Sequence, residues 1–217
     1  YYKAWHIEVK DGKADTKSHP LYCCYAESDD GIHWRKPELG LVEFEGSKAN
    51  NIVLAPESFG EVTSDPGHPA VFKDENPACP PEARYKAIIR AEKPYGLLVF
   101  QSPDGFQWSL AHPEPVIVEG AFDSQNLAFY DANLGAYRAY WRIFTGGRTD
   151  AEAWKPEGIR AIRTAVSKDL VNWEPHRDLA YVDSPDEQLY TNGVKPYHRA
   201  PHLLLGFPAR YVERGWS

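Results

Sequence analysis

A seven-residue signature occurs three times in the chain: Ser28-Asp29-Asp30-Gly31-Ile32-His33-Trp34, Ser102-Pro103-Asp104-Gly105-Phe106-Gln107-Trp108 and Ser167-Lys168-Asp169-Leu170-Val171-Asn172-Trp173. The copies stand 74 residues (28 to 102) and 65 residues (102 to 167) apart, a period that marks a repeated supersecondary unit. Apolar stretches precede them at 21–26, 97–100 and 159–166. Each copy therefore reads as a strand, a tight polar turn and a Trp that opens the next strand. Ser and Asp side chains close such a turn by accepting from backbone amides two residues on. Gly31 and Gly105 supply a positive φ without strain; Leu170 does so only against its side chain, so the third turn is expected to differ. The Trp is expected to bury its ring between neighbouring units. The signature is structural, not chemical.

A second element keeps the same register. Tyr2-Lys3-Ala4-Trp5, Tyr85-Lys86-Ala87-Ile88 and Tyr137-Arg138-Ala139-Tyr140 recur ahead of the turns, with Pro201-His202-Leu203-Leu204-Leu205-Gly206 as a weaker fourth copy. Apolar strands at 69–72, 127–130 and 193–196 precede the later three. Four antiparallel strands per repeat make a propeller blade. The expected fold is all-β, a β-propeller of four-stranded antiparallel blades at 1–62 (partial), 63–120, 121–183 and 184–217 (partial). With 18 Pro and 16 Gly, short strands are favoured over helices; residues 149–154 are the place for one helical turn. A ring needs roughly four or more blades, and the chain contains no Met, so an internal piece of a longer protein, five-bladed in full, is expected.

Formal net charge is −7 with no basic run, which leaves nucleic acid and anionic membranes unsupported as partners. No apolar stretch is long enough to span a bilayer. Cys23 and Cys24 are adjacent in an apparent strand and Cys79 is distant, which matches neither a disulfide framework nor zinc spacing; the adjacent pair reads as small buried hydrophobes. His198, Arg199 and His202 are too irregular for a metal site. No cofactor is expected, and nothing in the sequence supports a channel Ca²⁺.

In a propeller the innermost strand of each blade lines a central channel, so polar residues at the start of these strands are the candidates for chemistry. Three such stretches exist: 63–72, with Asp65 and His68; 122–129, with Asp123, Gln125 and Asn126; and 187–193, with Tyr190 and Asn192. Trp141 and Arg142, on the next strand, add an aromatic face and a cation. Tyr197 is a further stacking candidate. Each has a plainer reading: Asp123 as a turn former, Asn126 and Asn192 as backbone partners, His68 as a loop residue, Arg142 as half of a salt bridge, and Trp141, Tyr190 and Tyr197 as core.

The Ser-x-Asp turns, Val71-Phe72 and Asp123-x-x-Asn126 together resemble the five-bladed propeller glycoside hydrolases of families 32 and 43, and a bacterial group described as family-32-like or sialidase-like. Family 32 carries an Arg-Asp-Pro-x-Val-Phe motif with a transition-state-stabilising Asp and a Glu-Cys-Pro-Asp motif with the acid/base Glu. Matching Val71-Phe72 puts His68 in place of the stabilising Asp, with Asp65 as the substitute if the strand start bulges. Matching Asn126 to the second motif puts Asp123 in place of the acid/base. The resemblance implies a glycoside hydrolase acting on an oligo- or polysaccharide, with Asp123, Asp65 and His68 catalytic, and Gln125, Asn126, Arg142, Trp141, Tyr190 and Asn192 on the substrate. It implies that the nucleophile comes from a blade outside this chain. Secretion or periplasmic export would fit such a substrate; the sequence leaves the compartment open. The missing Asp at 68 motivates the alternative, a non-catalytic carbohydrate-binding propeller. A sialidase-like enzyme would need three arginines on a carboxylate, and Arg142, Arg163 and Arg210 are the nominees.

Overall fold

A computed structural model describes residues 1–4, 8–10, 13–15 and 20–214. Trp5, from the first copy of the second element, lies outside them. The described residues are all-β, with antiparallel pairing and a single 3-10 turn at Pro81–Ala83. Residues 150–153 form the turn of a hairpin, closed by the Asp150 carboxylate on the amides of Glu152 and Ala153, and not the helical turn expected there.

The repeat is visible as strand order. In one sheet Ala70–Lys73 pairs with Tyr85–Lys93, which pairs with Tyr95–Ser102, which pairs with Ser109–Leu110. In the next, Leu127–Asp131, Ala136–Thr149, Trp154–Ser167 and Arg177–Asp178 follow in the same order. The hairpin of Lys195–Tyr197 with Ala200–Leu205 begins a further unit. The N-terminal sheet differs. Tyr2–Ala4 and Tyr22–Cys24 pair as expected, but Ile52–Leu54 supplies the next strand only after a long loop.

Alternation along the strands explains how these sheets stack. Successive side chains point to opposite faces. Ala87, Ile89, Ala91, Leu98 and Phe100 pack with Cys23, Val53 and Leu54 of the N-terminal sheet. Their neighbours Ile88, Leu97 and Val99 pack with Ala128, Tyr137, Ala139, Trp141 and Ile143 of the following sheet. That sheet in turn lays Tyr140 and Ile162 against Val194 and Leu204 of the last hairpin. Each fully buried Leu, Ile or Phe contributes about 1.5–3 kcal/mol, so the stacked faces carry most of the stability. Cys23 and Cys24 are buried and free, and burial pushes the Cys23 thiol up to about 12.

The three signature turns share one set of bonds. Asp30, Asp104 and Asp169 each accept through Oδ1 from the backbone amides two and three residues on, at 2.8–2.9 Å. Each Trp donates its indole N–H to the carbonyl three residues before it, at Gly31, Gly105 and Leu170. The third turn keeps these bonds and the left-handed backbone, with Leu170 at φ 66°; it differs only in lacking the amide bond to the Ser hydroxyl that Gly31 and Gly105 make. The Leu170 side chain is buried in the core, and that burial offsets the left-handed backbone. Burial of the Trp itself varies, from 4% exposed at Trp173 to 61% at Trp34, so the first copy does not wedge its ring between sheets.

Candidate functional site

The strands 70–73, 127–131 and 195–197 lie around one cavity of about 470 Å³, lined by Val71, Phe72, Leu127, Phe129, Val194 and Pro196 among others. At the starting end of these strands is a second cavity of about 260 Å³, lined by His68, Ser124, Gln125, Asn126, Tyr190 and Thr191. Ala70 and Leu127 border both, so the smaller cavity, a mouth at the strand starts, adjoins the larger. It draws residues from all three stretches picked out in the sequence.

The backbone at each strand start makes this mouth polar. The Asp65 amide donates to the Arg90 carbonyl, and pairing resumes at Ala70 with Ile88. Between those points the inner strand spends residues 66–69 where its partner spends Ile89 alone. The strand start does bulge, which is the condition for Asp65 to stand in for the missing Asp. The next sheet repeats it: the Ala121 amide donates to the Arg142 carbonyl, pairing resumes at Leu127 with Tyr140, and residues 122–126 stand opposite Trp141 alone. Extra residues at a strand end redirect side chains away from the sheet.

Each excursion has an Asp at or next to its start, Asp65 just before the first and Asp123 within the second, against an Arg at the same register, two residues beyond the resumed pairing. Asp65 Oδ2 accepts from His68 Nδ1 at 2.8 Å and from Arg90 at 3.4 Å, while Oδ1 accepts from the Gly67 amide at 2.9 Å. Burial alone would raise the Asp65 carboxyl; the hydrogen bond and charge of His68, the Gly67 amide and Arg90 outweigh it and hold it below the usual carboxylate range. Because an ionised carboxylate only accepts, His68 donates through Nδ1, which leaves Nε2 without a partner among the described residues. In the second excursion Asp123 forms an ion pair with Arg142, whose guanidinium lies 4.7 Å from the Tyr190 ring centroid.

Not every predicted residue reaches the mouth. Trp141 is fully buried and donates its indole N–H to the Glu119 carbonyl, so it is core and offers no face to a sugar. Asn192 is buried and donates to the Gln125 and Tyr140 carbonyls; the Gln125 side-chain oxygen accepts from the amides of Asn192 and Gly193. These bonds tie the second strand start to the third, and the Ser124 hydroxyl adds a donation to the Tyr190 carbonyl. Asn126 closes its own loop by donating to the Phe122 and Ser124 carbonyls, yet its Oδ1 is buried without a protein partner. Arg163 is paired with Asp178 and Glu119, and Arg210 with Glu187. Arg163 faces Trp141 across the ladder, so it projects from the opposite side of the sheet to Arg142; the three nominated arginines do not converge. Among the described residues no three His, Cys, Asp or Glu side chains are placed to hold a metal, and no helix is long and apolar enough to cross a membrane.

Sequence reasoning missed Arg90. The signal was present: Tyr85-Lys86-Ala87-Ile88-Ile89-Arg90 and Tyr137-Arg138-Ala139-Tyr140-Trp141-Arg142 share Tyr, a cation, Ala and a final Arg. It also missed a cavity of about 490 Å³ between Ile159, Leu179, Tyr181 and Glu187, which of the named candidates takes in only Arg210.

No family model and no curated protein matches the chain. Among solved structures, the crystal structure of an N-acetylgalactosamine deacetylase from F. plautii in complex with blood group B trisaccharide is similar over 82% of this chain and 68% of that one, at 13% identity and a TM-score of 0.34. A likeness that slight transfers neither fold nor function.

Proposed function

We propose that the stacked sheets are successive blades of a β-propeller, divided at about residues 62, 120 and 183, and that its channel mouth is the site of a carbohydrate-cleaving hydrolase. The observation that carries this reading is the convergence of His68, Ser124-Gln125-Asn126 and Tyr190-Thr191 from three separate strand starts on one cavity. Two carboxylates, Asp65 and Asp123, lie in the same excursions, and Tyr190 presents a partly exposed ring of the kind that stacks on a sugar.

Glycosidic cleavage needs a proton donor and a carboxylate on either side of the scissile bond. The ion pair with Arg142 is made by the ionised Asp123, so Asp123 is the carboxylate of the reaction and not the acid that the resemblance implies. Proton transfer falls to His68 through Nε2, with Asp65 as the positioning residue that holds its ring. Asn126 Oδ1 is an acceptor for a sugar hydroxyl. The test is turnover on a panel of oligosaccharides and aryl glycosides. Asp123→Asn retains an oxygen for Arg142 and should lower turnover by about 10²–10⁴-fold with the thermal midpoint kept. Unchanged turnover would remove Asp123 from the mechanism.

One observation favours a second reading, a propeller that binds carbohydrate without cleaving it: both candidate carboxylates are already engaged by arginines. Saturable sugar binding with no release of product from any substrate would select that reading.

A further inference from the structure

Arg142, which lies behind the Tyr190 ring that lines the mouth, is an underused cation. Its side chain is 3% exposed, while that of its partner Asp123 is 46% exposed. Asp123 occupies Nη2 only; Nε and Nη1 are buried with no hydrogen-bond partner. Leaving a buried charged donor unpaired is costly. Arg160 repeats the situation. It stands opposite Phe144 in the ladder, one diagonal step from Arg142 on the same face of the sheet. Its Nη1 donates to Gln188 Oε1 at 2.5 Å, and its Nε is buried and unpartnered. Phe144 flanks both guanidiniums, and Tyr190 and Tyr211 cover Arg142 and Arg160 at 4.7 and 4.0 Å. The rings around Arg142 keep water from it, which strengthens any charge pairing made there.

Resting on the reading of the mouth as a carbohydrate site, the geometry points to an anionic sugar, one bearing a carboxylate or a sulfate, as the ligand, with Arg142 as the residue that binds the anion and Asp123 as its stand-in when the site is empty. A guanidinium binds an oxyanion best through two adjacent N–H groups. Both two-point edges of Arg142 include Nη2, the nitrogen that Asp123 holds. The ligand's anion must therefore displace the exposed Asp123 carboxylate to bind with two hydrogen bonds. Displacement does two things at once. It fills the vacant Nε or Nη1, and it frees Asp123 to face the rest of the sugar. A neutral sugar leaves the Asp123–Arg142 pair closed.

The test is calorimetric titration of the protein with three probes: an oligogalacturonide, the same oligomer fully methyl-esterified, and a sulfated galacto-oligosaccharide. The acid and ester share every hydroxyl and differ in charge. The expected result is binding of the acid, the sulfated probe or both at least about tenfold tighter than the ester, the worth of one charge-assisted hydrogen bond. The carboxylate and sulfate arms identify which anion is taken. Asp123→Asn removes the competing charge and should tighten the anionic probe by about tenfold while leaving the ester unchanged. Arg142→Gln should abolish the difference between acid and ester; its thermal midpoint is measured alongside, and Asp123→Asn decides the question if that variant fails to fold. Binding of both anionic probes no tighter than the ester, or weaker anion binding in Asp123→Asn, overturns the inference and leaves the carbohydrate reading standing. Binding of none of the three, together with no binding of any neutral oligosaccharide, overturns both.

Discussion

Asp74 is the place where one substitution should unlock two sheets. Its carboxylate accepts from the Tyr137 hydroxyl at 2.8 Å and pairs with Lys86 Nζ at 3.0 Å. Lys86 donates further to the Ala83 carbonyl at 2.5 Å, and Asn76 donates to the Tyr137 hydroxyl at 3.0 Å. Tyr137 belongs to the following sheet, so this cluster joins two repeats. The side chains of Asp74 and Lys86 are 0% and 9% exposed. Asp74→Ala would strand an ammonium out of water, which costs about 3–5 kcal/mol. For a chain of this size that is a fall of roughly 6–20 °C in Tm. The repeat supplies its own control. Asp131 occupies the same place in the next sheet and pairs with Arg138, whose side chain is 24% exposed. Water can solvate that arginine once abandoned, so Asp131→Ala should cost only about 1–2 kcal/mol, mostly from the Asn133 and Leu134 amides that lose their acceptor. Urea unfolding of both variants, and of Asp74→Leu combined with Lys86→Met, gives the answer. The double variant should lie within about 1–2 kcal/mol of the parent, because no charge is left unpaired. Equal costs for Asp74→Ala and Asp131→Ala would refute the argument that burial of the partner sets the price.

Three further outcomes follow from the same bonds. Leu170→Gly relieves about 1 kcal/mol of left-handed strain but empties a core position worth about 2–5 kcal/mol; it should be net destabilising by denaturant titration, although glycine is the residue in the other two turns. Asp65 is held below its ordinary value, so its stabilising contribution is complete above about pH 4 and is lost as pH falls through the folded value. The gap in Tm between the parent and Asp65→Asn should therefore be widest near neutrality and close in acid; a gap that grows with acid would reverse the sign of the argument. Asp104→Ala removes an acceptor shared by the amides of Phe106 and Gln107 and should cost about 1–2 kcal/mol, read by thermal unfolding against Asp30→Ala.

The signature turns were legible because every bond in them is local: the Ser, the Asp and the Trp act within seven residues. The four-strand unit was legible for the same reason, through its period. Leu170 was misread because its compensation is tertiary. Nothing within the turn shows that the side chain at 170 enters the core beside Trp173. Trp141 was misread as a sugar platform because alternation shows that 141 and 142 face opposite ways without showing which way is the mouth; the excursion at 122–126 decides it by bringing Asp123 to Arg142. Asn192 was placed on the substrate on account of its polarity, and the structure spends that polarity on the carbonyls of Gln125 and Tyr140. The Asp–Arg pairs were half visible. Both arginines end a repeated hexapeptide, but their partners are set by how many residues each excursion holds, and only folding shows that count.

The central claim is that three strand starts build one carbohydrate site, and a crystal structure of the protein with a bound oligosaccharide tests it most directly. The account predicts a sugar ring against Tyr190, within hydrogen-bond distance of His68, Gln125 and Asn126, with its cleavable bond toward Asp123. A sugar seated instead between Ile159, Leu179 and Glu187, or an empty mouth at saturating ligand, would contradict it.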